Sequence, residues 1–210
     1  MPKTFAWLAV LALGSILGGA HAFAAEAKYT GVKDCGRCHK KELIGNQLAE
    51  WKKMKHAKAF DTLKSDEAKK IAADRGMTEA PHESDDCLRC HATAFGLKPE
   101  QIHKKPLQIS DGVQCESCHG PGSAYRKKKV MSDHEKAVAA GMWEPGKDEK
   151  ICTACHNTDS PTWDEAKGFD YAARKEEIAH PIPEHVKGRY IELEKEERAK
   201  KGGGGDDDEE

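Results

Sequence analysis

All eight cysteines of this 210-residue chain fall into four pairs of one form, each closed by a histidine. They read Cys35-Gly-Arg-Cys38-His39, Cys87-Leu-Arg-Cys90-His91, Cys115-Glu-Ser-Cys118-His119 and Cys152-Thr-Ala-Cys155-His156. No thiol is left over. Paired cysteines at this spacing also suit zinc knuckles, redox dithiols or disulfides, but none of these needs histidine directly after the second cysteine every time. With 11 histidines in 210 positions, chance places one there about once in twenty, and four times over on the order of once in 100,000.

C-x-x-C-H is the attachment motif of c-type haem. Two thiols three positions apart match the two vinyl groups on one porphyrin edge, and the adjacent imidazole is carried beneath the ring plane as the proximal iron ligand. Four motifs predict four covalently bound haem c groups. Cys35, Cys38, Cys87, Cys90, Cys115, Cys118, Cys152 and Cys155 would form the thioethers, and His39, His91, His119 and His156 would bind iron.

The remaining composition fits that reading. Sixteen of roughly 80 apolar residues lie in Met1–Ala24, and only 13 residues of the whole chain are aromatic. The rest is poor in apolar residues for a globular core. Four haems would supply the missing apolar surface, so folding and haem attachment are expected to be inseparable. A net charge of −2 argues against a protein held on nucleic-acid phosphates. A single apolar run, at the N-terminus, excludes a polytopic membrane protein.

That run has the form of a secretory signal. Lys3 supplies a positive start, Phe5–Gly19 is uncharged, and Ala20-His-Ala22 and Ala22-Phe-Ala24 offer cleavage sites. Residues 1–24 are therefore expected to be a signal peptide, and the protein to be periplasmic or extracellular. Residues 25–201 would form the tetrahaem domain. Gly202–Gly205 followed by the acidic Asp206–Glu210 reads as a flexible tail.

The first cysteines are 52, 28 and 37 residues apart, so no regular repeat or solenoid is implied. The patterns predict helices over Glu42–Phe60, Ser65–Arg75 with Gly76 after its end, from the Ser132-Asp-His-Glu135 capping box to Gly141, Phe169–His180 up to Pro181, and Tyr190–Lys201. Pro99, Pro106 and Gly112 mark a loop. The fold expected is mainly α, loop-rich and packed around four haems, with little or no sheet.

Each iron has a second axial position that histidine or methionine can fill. Downstream of the signal segment, six histidines lie outside the motifs: His56, His82, His103, His134, His180 and His185. His56 shares a helix face with Phe60 and Leu63. His134 opens a helix, where the dipole favours neutral imidazole. His180 closes a helix before Pro181. These three are the favoured distal ligands, and spacing alone does not say which iron each one reaches.

Cys115-Glu-Ser-Cys-His119-Gly-Pro-Gly122 resembles a signature of the tetrahaem cytochrome c-554 family, as do Trp51 with His56-Ala-Lys-Ala and Phe169-Asp170 before His180. The resemblance runs from about Lys33 to His185. It implies a mainly helical fold with haems in close pairs, and electron transfer; the type member takes its electrons from hydroxylamine oxidoreductase. It also implies His56 as distal ligand of the third haem, His134 of the first and His180 of the fourth, with an open second haem. Here, however, His82 and His103 flank the second motif, so its distal side is open or filled by one of them. The mature chain is also mildly acidic where the ammonia-oxidation members tend to be basic, so the resemblance does not carry their docking partner over to it.

The leading reading is an exported tetrahaem electron carrier between redox partner proteins, with no catalytic residue and no membrane span once the signal is removed. The rivals are a reductase of a small nitrogen or oxygen species at a five-coordinate second haem, and a subunit of a polymeric haem wire in which copies of the chain associate.

Overall fold

Short helices separated by glycine- and proline-marked turns carry the chain, in a computed structural model that describes residues 26–200. The expected signal peptide and acidic tail lie outside the described residues. The helices are α1 (Val32–His39), α2 (Gln47–Lys53), α3 (Ala59–Thr62), α4 (Asp66–Asp74), α5 (Asp85–His91), α6 (Cys115–His119), α7 (Lys128–Met131), α8 (His134–Ala139), α9 (Lys150–Thr153), α10 (Tyr171–Glu177) and α11 (Tyr190–Lys200). Among the described residues there is no strand, only one isolated parallel bridge between Tyr29 and Ile102. The mainly α, loop-rich fold is as expected.

The helix expected over Glu42–Phe60 is broken into pieces. Gly45 turns left-handed at φ 93° after a 3-10 turn at Glu42–Ile44. Asn46 then caps α2, its side chain accepting from Ala49 N at 3.2 Å. At Met54 the backbone is extended, and a second 3-10 turn, His56–Lys58, precedes α3. Tertiary bonds explain the break. Val113 N donates to His56 O at 3.0 Å, and Trp51 Nε1 donates to Val113 O at 2.9 Å. A Cβ on Gly112 would stand 3.0 Å from His56 O, so only glycine lets the two backbones approach this closely.

Other boundaries follow local chemistry. Ser65 caps α4 through Ala68 N, and Gly76 follows its end at φ 67°. The cap of α8 is Asp133, not Ser132, accepting from Lys136 N at 3.1 Å. Asp170 caps α10, which ends at Glu177, so His180 lies beyond the helix and not at its last position.

Protein-only packing is thin. The buried apolar residues are Val32, Ile44, Leu63, Ala72, Leu88, Ala92, Tyr125, Ala137 and Val186, and the one cluster joins Leu63, Leu88 and Ala92 to Phe60, Cys87 and Phe95. Buried polar groups take over much of the connecting work. Glu194 of α11, its side chain 7% exposed, receives Lys41 Nζ at 2.6 Å, Lys128 Nζ, and Tyr190 Oη at 2.8 Å. This clamp fastens the C-terminal helix to the turn after motif 1 and to α7.

Candidate haem-binding site

Three of the four C-x-x-C-H motifs end their helices at the histidine: α1 at His39, α5 at His91 and α6 at His119. The fourth begins in α9 and continues one turn past it, with His156 N donating to Cys152 O at 2.9 Å. A helical turn brings both cysteines and the histidine of each motif to one side. None of the eight cysteines is in a disulfide. Among the described residues no three His, Cys, Asp or Glu side chains converge as a zinc site would need.

The motifs are not stacked in chain order. Helix α1 of motif 1 packs against α6 of motif 3, and Gly31 N and Val32 N at its start donate to Glu116 Oε2 and Gln114 Oε1 at 2.7 Å. Motif 3 meets motif 4 where α6 packs against α9. Motif 2 is joined to the segment after motif 4 by Arg89, which donates to Asp159 Oδ2 at 3.2 Å. Motif 2 also touches motif 3, Thr93 Oγ1 lying 2.6 Å from Ser117 Oγ, so motif 3 stands at the centre, against motifs 1, 2 and 4.

Two histidines from outside the motifs stand opposite motif imidazoles. His56 faces His156 with ring centres 6.0 Å apart and planes at 87°. His180 faces His119 at 6.1 Å and 82°. Two metal–nitrogen bonds of about 2 Å, plus roughly 1 Å from each nitrogen to its ring centre, make about 6 Å. Both pairs thus have the separation of two axial ligands on one metal. The pairing differs from the one implied by the family resemblance: His56 goes to the fourth motif and His180 to the third. The turn at Met54 re-aims His56, and the departure from helix before Pro181 re-aims His180.

Second partners orient several of these rings. His91 Nδ1 bonds Ala59 O at 2.8 Å, His180 Nδ1 bonds Ile178 O at 2.7 Å, and His39 Nδ1 bonds Gln47 Oε1 at 3.2 Å. Each leaves Nε2 as the free electron pair, the arrangement that metal-binding imidazoles use. Phe169 stacks on His156 at 4.9 Å. Burial, with His180 opposite, pushes the His119 imidazole down to about 4. Burial likewise lowers His39, His56 and His156. Neutral imidazole is the form that ligates metal.

His134 is placed differently. Its side chain is 64% exposed, and Nε2 bonds Glu144 Oε1 at 2.9 Å. It stands opposite no motif imidazole, and with Nε2 held, Nδ1 is its free nitrogen. His103 is tied to the motif 1 side, its backbone N–H donating to Tyr29 O at 2.9 Å and its ring meeting Arg126 at 3.2 Å. His82 lies in the turn before α5, its nearest charged neighbour Glu83 at 4.0 Å. No ring contact joins His91 to a second imidazole among the described residues.

Two buried polar atoms, His82 Nδ1 and Gln114 Nε2, have no partner among the described residues. Gln114 is 2% exposed and sits beside Cys115. An orphan amide donor at that place fits a motif that holds a cofactor bearing carboxylates. The cysteine pairs, the opposed imidazoles and this donor together fit haem.

A helical chain built from such motifs, with further imidazoles set opposite two of them, is a c-type cytochrome. The family model described as cytochrome c554 and c-prime matches residues 34–120. A curated cytochrome c-554 from Nitrosomonas europaea is 34% identical over 177 residues, covering 76% of this chain and 71% of that protein. No solved structure matches the chain. The chain belongs to the cytochrome c-554 family, and with it come covalently bound haem c and electron transfer.

Sequence reasoning found the motifs and two imidazoles that face them. It missed Glu144, Gln114 and the buried role of Glu116, whose only signal was an acidic residue inside a haem motif followed by Gly-Pro-Gly.

Proposed function

We propose that the protein is an exported tetrahaem electron carrier, periplasmic or extracellular, that passes single electrons among four haems gathered around motif 3, between two redox partner proteins. Haem supplies the one-electron couple when bound. The chain's own residues attach it, orient it and tune it. The cysteine pairs hold each group covalently, so it survives export and turnover. His56 and His180 would hold the fourth and third groups from the side opposite His156 and His119, an arrangement that suits electron transfer with little reorganisation. His134 is the distal ligand of the first by family resemblance, through the nitrogen that Glu144 leaves free.

The observation that carries this reading is the pair of opposed imidazoles at 6.0 and 6.1 Å. A carrier needs saturated metal centres close together and no substrate pocket. The test is haem content by pyridine haemochrome, expected at about four per chain, with EPR of His56→Gly and His180→Gly. Each variant should turn one haem from low-spin to high-spin. A colourless, zinc-loaded protein would sink the proposal.

A second reading rests on His91. With His103 beside Arg126 at 3.2 Å and no second imidazole against His91 among the described residues, the distal side of the second haem would be open unless His82, whose Nδ1 is buried without a partner there, fills it. An open side favours reduction of a small nitrogen or oxygen species there, in addition to transfer.

A further inference from the structure

Glu116 lies between the two cysteines of motif 3 and is 1% exposed. Its Oε1 accepts Thr30 N at 2.9 Å, Gly122 N at 2.7 Å and Thr30 Oγ1 at 3.3 Å. Its Oε2 accepts Gly31 N at 2.7 Å and Thr30 N at 3.0 Å. All of these donors are neutral. Gly31 is the residue that caps α1, at φ 83° with no side-chain cap of its own. The next amide, Val32 N, is taken by Gln114 Oε1 at 2.7 Å. The unpaired N–H groups at the start of the motif 1 helix are thus satisfied from motif 3, more than eighty residues away.

The glycines after motif 3 serve the same carboxylate. A Cβ on Gly122 would meet Glu116 Oε1 at 3.1 Å and Thr30 Oγ1 at 3.2 Å, so glycine lets its N–H reach the oxygen. Gly120, at φ 74°, turns the chain back under Trp143. Tyr125 Oη locks this turn by donating to Gly120 O at 2.7 Å and His119 O at 3.0 Å.

A buried negative charge compensated by dipoles alone is costly, because desolvation is offset only in part. An amide would satisfy fewer of these donors, and an apolar residue none. The charge stands at the seam where α1 meets α6. Oxidised haem iron carries one more positive charge than reduced iron. A fixed anion at the seam favours the oxidised state of both neighbours, and burial keeps salt from screening it.

We propose that Glu116 is a positioning residue that both fixes motif 1 against motif 3 and lowers the reduction potentials of these two haems relative to the other two. It gives the chain a strongly reducing pair. The inference rests on the tetrahaem reading above, and its failure is separable from a failure of that reading.

The test uses holoprotein carrying Glu116→Gln or Thr30→Val, with haem content checked first and all potentials read by spectroelectrochemical titration. In Glu116→Gln the charge is gone, and its new amide N–H must face at least one backbone N–H. Two of the four potentials should rise while two hold. The expected rise is about tenfold or more in the ferrous-to-ferric ratio at fixed ambient potential, which for a one-electron couple is about 59 mV. It should persist at 1 M salt. In Thr30→Val one donor dipole is removed and the charge stays, so the same two potentials should fall. A residue that only braces the fold would not produce opposite signs. Four haems with unchanged potentials in Glu116→Gln would overturn the proposal. Should that variant yield no holoprotein, Thr30→Val decides: two lowered potentials support the proposal, and none lowered refutes it. Fewer than four haems in the unaltered chain would overturn the tetrahaem reading instead.

Discussion

Replacing Glu194 by glutamine should make the protein less stable at neutral pH and remove most of one acid-induced loss. Burial opposes the charged form of Glu194. Hydrogen bonds from Lys128, Lys41 and Tyr190 more than offset it and bring the carboxyl to about 2 from an ordinary 4.5. That gap corresponds to about 3 kcal/mol at 1.36 kcal/mol per pH unit. Because the folded value is depressed, the contribution is fully present above pH 4.5 and is lost as pH falls toward 2. By linkage, about 2 kcal/mol of it is gone by pH 3. The same cluster holds the Lys41 ammonium charged well above its usual range. In Glu194→Gln, Lys41 and Lys128 face each other without their anion. The assay is thermal unfolding of both proteins between pH 7 and pH 3, followed by haem absorbance and far-UV dichroism. At pH 7 the variant should melt about 6–12 °C lower. At pH 3 the difference should shrink to less than half of its value at pH 7. A Tm difference that stays constant across this range would refute the argument, because it would mean the clamp works through shape and not charge.

Replacing Gly112 by alanine should cost about 1–3 kcal/mol, read by urea denaturation, because a Cβ there meets His56 O at 3.0 Å and φ is 68°; the same variant should weaken low-spin ligation at the fourth haem, since the displaced backbone carries His56. His134→Gly should make a third haem high-spin by EPR, whereas His185→Gly should leave every haem unchanged. Reduced holoprotein should bind about one CO per four haems at the open second site, by difference spectra; CO binding that appears only after His82→Gly or His103→Gly would identify a hidden ligand and remove the reductase reading.

Parts of this architecture are legible in the sequence because they are local. Four motifs, the Ser65 cap and the Gly76 stop each depend on residues within a few positions of one another. The break in Glu42–Phe60 does not. It is set by bonds from Trp51 and His56 to Val113, and nothing near Met54 announces them. The distal pairing is of the same kind: His56 and His180 were visible as candidates, but their partners depend on where Met54 and Pro181 redirect the chain. Glu116 hid inside a motif whose cysteines and histidine had already explained it.

The helices described above are short, and the longest, α11, has 11 residues. A segment of that length barely holds helical structure alone in water, and nucleation makes shorter ones worse. With few buried apolar residues to gather them, a newly made chain stays open and threadable. It can pass through a translocation pore without being unfolded first. All eight thiols then remain within reach of a ligation machinery, in any order. On the proposed reading, motif 1 would shut against motif 3 as the haems are attached, and the order in which the chain was synthesised would not set the path an electron takes.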